Sequence, residues 1–380
     1  MKSIKTWSFV LLFLLLCSTV VFSAPLQTVK NRLINPAIRQ AVIKSAPKWN
    51  PVAKYSIPGT NVFALAVDSN NKVYAGGLLP WPYGPNIFSW SGASTDLWMT
   101  MGSGLNGPVK SIATYGNNIY AMGDFAFSGN TSTNHIAVWN GSSWSGMSTG
   151  LEQASAVATD ADGNVYVAQN LPAISYVRKW NDSSKSWDYL QSFNGAIYAL
   201  TFDPSSKLLY VGGSFAKINL GAANEKSVNN LAVCNVKDRT WDAALGTAYN
   251  PIKAIAVANG VIYIAGNFNA VIKKEPGAGW TAVGGTFDGL INALAVKHSN
   301  TDNVNIVYAG GTFTKNTTSG ITINANHVAV WNGSAWDPMS SGLNGTVNAL
   351  AIDSNGNLYA GGNFSSSGST PISRVARWGF

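Results

Sequence analysis

The stretch that decides the fold is Val347-Asn-Ala-Leu-Ala-Ile-Asp353, then Ser-Asn-Gly-Asn, then Leu358-Tyr-Ala-Gly-Gly-Asn-Phe364. Its two apolar segments favour strands, and an Asn-Gly pair between such segments is a strong signal for a β-hairpin. A third segment is typified by His327-Val-Ala-Val-Trp-Asn-Gly333, and a fourth by Trp336-Asp-Pro-Met-Ser-Ser-Gly-Leu343. The sequence therefore predicts a unit of four short strands.

This unit recurs along the chain, and a tyrosine marks its second strand. Seven tyrosines lie 44 to 53 residues apart, at Tyr74, Tyr120, Tyr166, Tyr210, Tyr263, Tyr308 and Tyr359. Four strands in a repeat of this length are typical of a propeller blade. We therefore predict an all-β fold, a seven-bladed β-propeller with four-stranded antiparallel blades.

The tryptophans follow the same repeat. Of the 14 tryptophans, 12 occupy two positions, the third strand (Trp90, Trp139, Trp180, Trp331, Trp378) and the start of the fourth (Trp49, Trp98, Trp144, Trp187, Trp241, Trp280, Trp336). Large rings that recur in this way are expected to fill the space between blades, where burying their area is strongly favourable. We interpret them as core residues and not as ligand platforms.

The two ends of the chain predict how the ring closes. The last copy stops at Arg377-Trp-Gly-Phe380, inside a third strand, whereas Trp49-Asn-Pro51 matches the fourth-strand stretch Trp336-Asp-Pro338. We expect the N-terminal strand to complete the last blade, so that no sheet edge stays open and residues 47–380 form one domain. Paired glycines such as Gly361-Gly362 predict a crowded second strand near the axis.

The residues before the repeat predict export. Residues 1–23 carry Lys2 and Lys5, an apolar run, and small residues before Ala24-Pro25, as in a cleaved signal peptide. A lipoprotein anchor at Cys17 and an uncleaved anchor are the alternatives. Residues 24–46 form a basic lead whose short helix begins at Asn35-Pro36, and it either packs on the propeller or serves as an interaction arm. We expect a secreted or periplasmic, cell-envelope location, with no transmembrane span in the mature chain.

The charge of the chain limits the kinds of partner it can bind, and its cysteine content limits its disulfides. The formal net charge is +8, but six basic residues cluster between Lys30 and Lys54, with no acid before Asp68. Without the signal and this cluster the chain is neutral, which argues against nucleic acid as a partner. Cys234 is the only cysteine left after signal cleavage, so we expect no internal disulfide and a thiol that acts as a small buried hydrophobe. We expect a monomer.

The repeat resembles kelch-type propeller repeats. The resemblance is carried by Ala-Leu-Ala-Val-Asp, Asn-x-Tyr-Ala-Gly-Gly-x-Phe, Val-Ala-x-Trp-Asn-Gly and Trp-x-x-Met-x-x-Gly-Leu, and it covers residues 47–380. It is greatest to the repeats of fungal cortical cell-polarity marker proteins and related bacterial exported proteins. The stretch Asp160-Ala-Asp-Gly-Asn-Val-Tyr166 also resembles NHL-type blades. The resemblance implies a propeller, whereas the copper site of kelch-like oxidases is not carried over, because the only histidines are His135, His298 and His327.

The motifs of catalysis are not found in the sequence. His135 and His327 share one repeat position in distant copies, so a joint metal site is not expected. Recurring acids close the first strand of four copies, at Asp68, Asp160, Asp203 and Asp353. They either hold a cation at a channel mouth or bond their own tight turns, and we favour the turns. We therefore predict no enzyme activity, no cofactor, no metal site and no catalytic residue.

The connections between second and third strands are long and dissimilar, which favours one face as a recognition surface. They are Leu79 to Pro85, Ala126 to Asn134, Ala216 to Asn229, Asn269 to Gly277 and Thr314 to Asn326. In Pro80-Trp-Pro-Tyr-Gly-Pro85, Trp81 and Tyr83 stand on a loop stiffened by proline, suited to stacking on a sugar or anchoring a protein.

The function predicted is that of an exported propeller that binds a protein or glycan through this face, with Trp81 and Tyr83 as binding residues. The alternatives are a carbohydrate-active lyase or hydrolase at the channel mouth and a structural protein of the cell surface. An enzyme of that kind would need two carboxylates, or a tyrosine and a histidine, to converge there.

Overall fold

The computed structural model describes residues 47–79, 85–92, 96–148, 151–242 and 250–379. Residues Lys48–Gly379 form one compact unit. Within the described ranges every regular element is a strand, and no helix there has the length and apolarity needed to cross a membrane. The predicted signal peptide and the basic lead with its helix lie outside the described residues.

The strands follow the repeat copy by copy. β1 (Lys48–Pro51) precedes the first copy, which contains β2 (Asn61–Val67), β3 (Val73–Leu78), β4 (Ile87–Trp90) and β5 (Met99–Thr100). The second contains β6 (Val109–Tyr115), β7 (Asn118–Gly123), β8 (Phe127–Ser128), β9 (Thr131–Ser132), β10 (Ile136–Trp139) and β11 (Trp144–Gly146). The third contains β12 (Ala154–Thr159), β13 (Val165–Asn170), β14 (Ser175–Asn181) and β15 (Ser186–Phe193).

The remaining copies have the same arrangement of strands. The fourth contains β16 (Ala196–Asp203), β17 (Leu208–Ser214), β18 (Lys217–Ile218), β19 (Lys226–Ser227), β20 (Leu231–Asn235) and β21 (Thr240–Asp242). The fifth contains β22 (Ile252–Ala258), β23 (Val261–Gly266), β24 (Ile272–Lys274) and β25 (Trp280–Ala282). After β26 (Thr286–Phe287), the sixth contains β27 (Ile291–Ser299), β28 (Val304–Gly311), β29 (Lys315–Thr318), β30 (Ile321–Asn324), β31 (Val328–Trp331) and β32 (Trp336–Pro338). The last contains β33 (Val347–Ile352), β34 (Leu358–Gly362), β35 (Ser366–Ser367), β36 (Thr370–Pro371) and β37 (Val375–Gly379).

Each copy folds into an antiparallel sheet in which four main strands pair in chain order. The pairing is β2-β3-β4-β5 in the first copy and β27-β28-β31-β32 in the sixth, for example. The small hairpins inserted between second and third strands are built from β8 and β9, β18 and β19, β29 and β30, and β35 and β36. The prediction of an all-β fold made of four-stranded antiparallel sheets is confirmed.

The sheet of the last copy takes its fourth strand from the other end of the chain. Its order is β33-β34-β37-β1, and Trp49 lies directly opposite Trp378, with ring centroids 5.4 Å apart. The same cross-strand pairing joins Trp331 to Trp336 within the sixth copy. β1 therefore has the register of a fourth strand, although it is more than 300 residues from its partner.

The first strands of the copies, here called the inner strands (β2, β6, β12, β16, β22, β27 and β33), lie side by side. Each contacts the inner strand of the next copy, and β33 contacts β2. Side chains bond across these contacts: Thr159 Oγ1 donates to the carbonyl oxygen of Thr114 at 3.0 Å. Asn348 Nδ2 donates to the carbonyl oxygen of Val62 at 3.0 Å. The sheets are thus joined by specific polar contacts as well as by apolar packing.

The paired glycines explain how the sheets approach so closely. A Cβ atom on Gly361 would lie 2.6 Å from Cγ1 of Val62 in the neighbouring inner strand. A Cβ atom on Gly362 would lie 2.0 Å from the carbonyl oxygen of Thr346 in its own sheet. Any side chain would overlap these atoms, so the crowding predicted for the second strands is present.

In the second, third and sixth copies the tryptophan at the start of the fourth strand bonds to the sheet before it, whereas the buried Nε1 atoms of Trp49 and Trp241 have no hydrogen-bond partner among the described residues. Trp144 Nε1 donates to the carbonyl oxygen of Met101 at 2.9 Å, and Trp336 Nε1 donates to that of Val283 at 2.6 Å. The accepting residue lies three positions after the tryptophan of the preceding copy. Of the twelve tryptophans of the repeat, five are buried as expected of core residues (Trp49, Trp90, Trp144, Trp241, Trp336) and seven are only half-buried, Trp180 among them.

The fourth and fifth copies lack the tryptophan of the third strand, and in the fifth copy the position of that strand was predicted wrongly. By strand register, Cys234 and Lys274 occupy its place, opposite Trp241 and Trp280. The predicted long connection from Asn269 to Gly277 is wrong, because β24 lies within it and leaves only residues 267–271 between second and third strands. Without a tryptophan to mark it, a three-residue strand gives a weak sequence signal.

The pairing of β1 with β37 predicts that the chain tolerates a new connection. A circular permutant would run from Thr60 to Trp378, continue with Asn-Gly-Ser-Ala copied from residues 332–335, and end with Trp49 to Gly59. It should fold with a melting temperature close to that of the parent chain, because the copied turn joins the same tryptophan pair in the sixth copy. Thermal unfolding followed by circular dichroism checks this.

The matched variant deletes residues 47–51 from the parent chain. It removes buried Trp49 and should lower the free energy of unfolding by at least about 3–5 kcal/mol, the cost of losing a buried tryptophan side chain. A stable deletion variant together with an unfolded permutant would contradict the role assigned to β1.

Candidate binding face

Every inner strand carries a β-bulge at the same point near its start. The pairing with the second strand shifts between Val62 and Ala64 in the first copy, and between Val347 and Ala349 in the last. The residue inside the shift, here called the bulge residue, is Phe63, Lys110, Ser155, Tyr198, Lys253, Asn292 or Asn348. Bulges re-aim a side chain and are frequent beside functional sites.

The bulge residues are the variable position of an otherwise uniform strand. The position after each of them holds alanine or serine, and an aliphatic residue follows, as in Ala64-Leu65 and Ser111-Ile112. The bulge residues themselves are two aromatic residues, two lysines and three small polar residues. Variation confined to one position of a repeated strand indicates that packing does not dictate this residue.

The inner strands surround a cavity of about 210 Å³, to which all of them contribute. Four bulge residues line it: Phe63, Lys110, Ser155 and Tyr198. The Tyr198 side chain is 43% exposed. The described residues that line this cavity include no carboxylate and no histidine. The cavity can therefore offer ring faces, a hydroxyl group and an ammonium group to a ligand.

Lys110 is part of an ion pair at this end of the sheet. Its Nζ atom lies 2.7 Å from the Asp124 carboxylate, and both side chains are about half exposed. Such a pair adds only about 0–1 kcal/mol to stability. Its more useful property is chemical, since it places a donor and an acceptor side by side, as neighbouring hydroxyl groups of a sugar require.

The hairpins inserted between second and third strands rise from the same end of the sheets as the bulges. They are not irregular loops, as the sequence analysis assumed, but one device used four times. Asn344 Oδ1 accepts from the backbone N–H groups of Ser365 and Ser366, at 2.7 and 2.9 Å. Equivalent pairs of bonds are accepted by Asn106, Asn194 and Asp288.

These four residues, here called the clamp residues, are each followed by glycine. A Cβ atom on Gly107 would lie 2.0 Å from the carbonyl oxygen of Asp124, so no other residue fits. Copies three and five, whose described connections at 171–174 and 267–271 hold no hairpin, lack Asn-Gly or Asp-Gly before the inner strand. An Asx-Gly pair ahead of an inner strand was therefore the sequence signal that announced a hairpin, and the sequence analysis missed it.

The clamped hairpins expose apolar side chains. Ile321, at the turn of the β29–β30 hairpin, is 71% exposed, and Phe127 in β8 is 44% exposed. An exposed apolar side chain on a hydrogen-bonded hairpin loses little conformational freedom when a partner covers it. These exposed apolar positions were not singled out from the sequence.

Trp81 and Tyr83 lie outside the described residues, but both ends of their segment are fixed. Leu79 is buried, and its backbone N–H group donates to Asn86 Oδ1 at 3.0 Å. Asn86 is also buried and donates from Nδ2 to the carbonyl oxygen of Leu105 at 2.9 Å. The segment thus departs from the same end of its sheet as the clamped hairpins do.

The recurring aspartates bond their own turns. Asp353 Oδ1 accepts from the backbone N–H group of Asn357 at 2.8 Å, and its Oδ2 accepts from the Tyr359 hydroxyl at 3.1 Å. The carboxylates of Asp68 and Asp160 accept bonds in the same way from backbone N–H groups of their turns and from the hydroxyl of the second-strand tyrosine of the repeat, here called the lattice tyrosine. Burial, with Asp353 beside it, raises the pKa of Tyr359 to about 12. These bonds are those of the turn interpretation, and in the first, third and last copies they also give the second-strand tyrosine a partner.

The histidines have structural partners. His135 and His327 both adopt positive φ angles, and their Nδ1 atoms lie 3.0 and 3.3 Å from the carbonyl oxygens of Gly123 and Gly311. Burial lowers the pKa of His327. Among the described residues, no three histidine, cysteine or acidic side chains come together to hold a metal ion. Cys234 is buried, as predicted, and burial raises the pKa of its thiol to about 12.

Comparison with known proteins gives likenesses of fold only. No family model matches the chain, and no curated protein matches it. Among solved structures, the chain is similar to the WD40 β-propeller domain of Doa1, with 15% identity and a TM-score of 0.49 over 88% of this chain and 96% of that one. It is similar to the computationally designed Ika8 protein, with 17% identity and a TM-score of 0.49 over 86% and 98%. At these values neither likeness indicates what the chain binds.

Substitution Asn344→Ala tests the clamp. It removes both bonds that Oδ1 accepts and should speed amide exchange across residues 365–371, with a loss of about 1–2 kcal/mol in the free energy of unfolding. Hydrogen exchange followed by mass spectrometry measures both effects. Asn332→Ala is the matched control, since Asn332 Oδ1 accepts two backbone bonds in a turn at the other end of its sheet. Equal amide-exchange rates across residues 365–371 in the two variants would contradict the role assigned to Asn344.

The tyrosine–aspartate bonds predict loss of stability at alkaline pH. Because the folded pKa of Tyr359 lies above its ordinary value of 10.0, unfolding becomes more favourable as the pH rises from about 10 toward about 12. Tyr359→Phe should lose about 1–3 kcal/mol at pH 8, and its stability should fall less between pH 8 and pH 11 than that of the parent. Urea unfolding at both pH values measures this. Tyr55→Phe, at an exposed tyrosine, should leave both values unchanged.

Proposed function

We propose that this chain is an exported binding scaffold, a closed seven-bladed β-propeller whose long-loop face binds a protein or a glycan. The long-loop face comprises the clamped hairpins, the segment with Trp81 and Tyr83, and the bulge residues. The observation that carries the proposal is the uniform bulge, which places one residue of variable type from each inner strand at the same end of the sheets.

The closed ring is supported by contacts at every boundary between consecutive copies. Cross-boundary bonds include Thr114 Oγ1 to the Val67 carbonyl oxygen and Thr201 Oγ1 to that of Ile255. The boundary between the last and first copies carries the Asn348 bond and the packing of Gly361 on Val62. A ring in which β1 supplies the last fourth strand leaves no sheet open at the seam. The kelch-type assignment rests on the sequence motifs alone.

Binding at the long-loop face is supported by the order of its hairpins in the chain without a partner. The clamp bonds fix the hairpins before any partner arrives, and exposed Phe127 and Ile321 already stand on them. Order of this kind lowers the entropic cost of association. Exposed aromatic and aliphatic side chains among polar neighbours are typical of recognition sites for proteins and sugars.

Trp81 and Tyr83 are proposed as the anchors of this face. Trp81 is the one tryptophan beyond the signal that stands outside the repeat lattice, so core packing does not account for it. Its loop begins and ends at buried, hydrogen-bonded residues. Export is proposed from residues 1–23, which places the face outside the cytoplasm, and the mature chain is proposed to act as a monomer.

The test is binding of the purified chain to a glycan array and to proteins of its own cell surface. For a partner found in this way, Trp81→Ala with Tyr83→Ala should raise the Kd about 30-fold or more, since a hot-spot aromatic residue contributes about 2 kcal/mol. Surface plasmon resonance measures the Kd.

Tyr189→Ala is the matched control, because Tyr189 is an exposed tyrosine on the outer strand β15. It should bind the partner as the parent does. If the double variant binds like the parent, the anchors are wrong. If substitutions at Lys110, Tyr198 and Phe127 are also silent, the long-loop face is not the binding surface.

A further inference from the structure

We infer that a groove between the sheets of the second and third copies is a second binding site, for a short neutral or amino-sugar oligosaccharide. The groove has a volume of about 510 Å³ and is lined by Tyr115, Tyr120, Trp180, Asp162, Asp182 and Lys185, among others. This volume is within the range of roughly 300–1,000 Å³ typical of small-molecule sites. It lies at the end of the sheets where first and second strands turn, opposite the hairpins, and so does not depend on the proposed function.

The groove exists because the second copy departs from the repeat. In the first, third and last copies, the residue after the inner strand is an aspartate that accepts a bond from the lattice tyrosine. By register, Tyr115 stands at that position in the second copy, beside the lattice tyrosine Tyr120. No aspartate fills the space in front of Tyr120, and the space remains open as the groove.

A second departure of the same kind supports this explanation. In the fifth copy Ala258 stands at the aspartate position, and a groove of about 220 Å³ opens beside the lattice tyrosine Tyr263. That groove is less than half as large, and in both grooves an asparagine bonds to the second-strand tyrosine hydroxyl, Asn118 to Tyr120 at 3.5 Å and Asn305 to Tyr263. The groove at Tyr115 is larger and also carries an exposed ring.

Two aromatic rings of the groove are fixed in place. Tyr115 is 40% exposed, and its ring packs on Gly163 of the next copy, where a Cβ atom would lie 2.4 Å from Tyr115 Cε1. Trp180 is half-buried against Trp187, with ring centroids 5.0 Å apart. Rigid and partly exposed aromatic faces stack on the apolar faces of pyranose rings at little entropic cost.

The polar groups of the groove select the kind of sugar. Lys185 Nζ lies 2.6 Å from Asp182 Oδ1, which also accepts from Trp180 Nε1 at 3.4 Å. This ion pair offers a donor and acceptors to neighbouring hydroxyl groups. With Asp162 the groove holds two carboxylates and one ammonium group. Its net negative charge disfavours acidic sugars and favours neutral sugars or those with an amino group.

The test titrates the purified chain with trisaccharides of glucose, of N-acetylglucosamine, of glucosamine and of galacturonate, followed by tryptophan fluorescence and calorimetry. We expect saturable binding of at least one of the first three and none of galacturonate. Tyr115→Asp should abolish the binding, because it restores the repeat residue and gives Tyr120 a carboxylate partner that fills the groove. Its melting temperature should not fall, since aspartate occupies this position in four other copies.

Asp182→Asn is the second variant and should weaken binding at least tenfold while leaving the groove open. Trp81→Ala with Tyr83→Ala should bind the trisaccharide as the parent does, which separates this site from the long-loop face. Tyr189→Ala controls for loss of an exposed tyrosine from the third copy. Absence of binding to all three sugars at millimolar concentration, preference for galacturonate, or unchanged binding by Tyr115→Asp would each overturn the inference.

Discussion

The structure depends on the packing of the fourth-strand tryptophans, which in the second, third and sixth copies also donate a bond to the sheet before. Trp144 donates to the Met101 carbonyl oxygen, and Trp336 donates to that of Val283. Each indole also buries a large apolar area between two sheets. A twisted four-stranded sheet has two faces to cover, and here the neighbouring sheets cover them. With no disulfide among the described residues, this packing and the bonds between inner strands account for the cohesion of the unit.

Because the repeat fixes the residue type at most positions of each copy, the positions that vary between copies are the ones on which the proposed binding depends. The bulge residues vary in type while the position beside each of them is always alanine or serine, and three of them (Ser155, Asn292 and Asn348) bond to the neighbouring inner strand. The clamp residues hold the hairpins at the end of the sheets, where some hairpin side chains, such as Phe127 and Ile321, are exposed and others, such as Ile218, pack into the core.

Departures from the repeat differ in their consequences according to where they fall. Cys234 replaces a tryptophan within the core and is buried, so the loss of a ring there leaves a packed, unreactive thiol. Tyr115 replaces an aspartate at a turn, and the change opens a groove beside Tyr120. A substitution in the core is absorbed by neighbouring side chains, whereas a substitution at a turn faces solvent and alters the surface.

The sequence by itself determined the four-strand unit, the core role of the tryptophans, the turn role of the aspartates and the place of β1 beside β37. Each of these follows from residue types that recur at fixed spacing, because strand alternation and turn chemistry are local. Only the tertiary structure decided the bulges, the clamped hairpins and the groove, and it corrected the third strand of the fifth copy. A bulge is a shift in pairing between two strands, and a clamp joins residues about 20 positions apart. The recurring alanine or serine after the bulge residue and the Asx-Gly pair before the inner strand show their meaning only in the structure, since both features depend on which backbone groups meet after the sheets have packed.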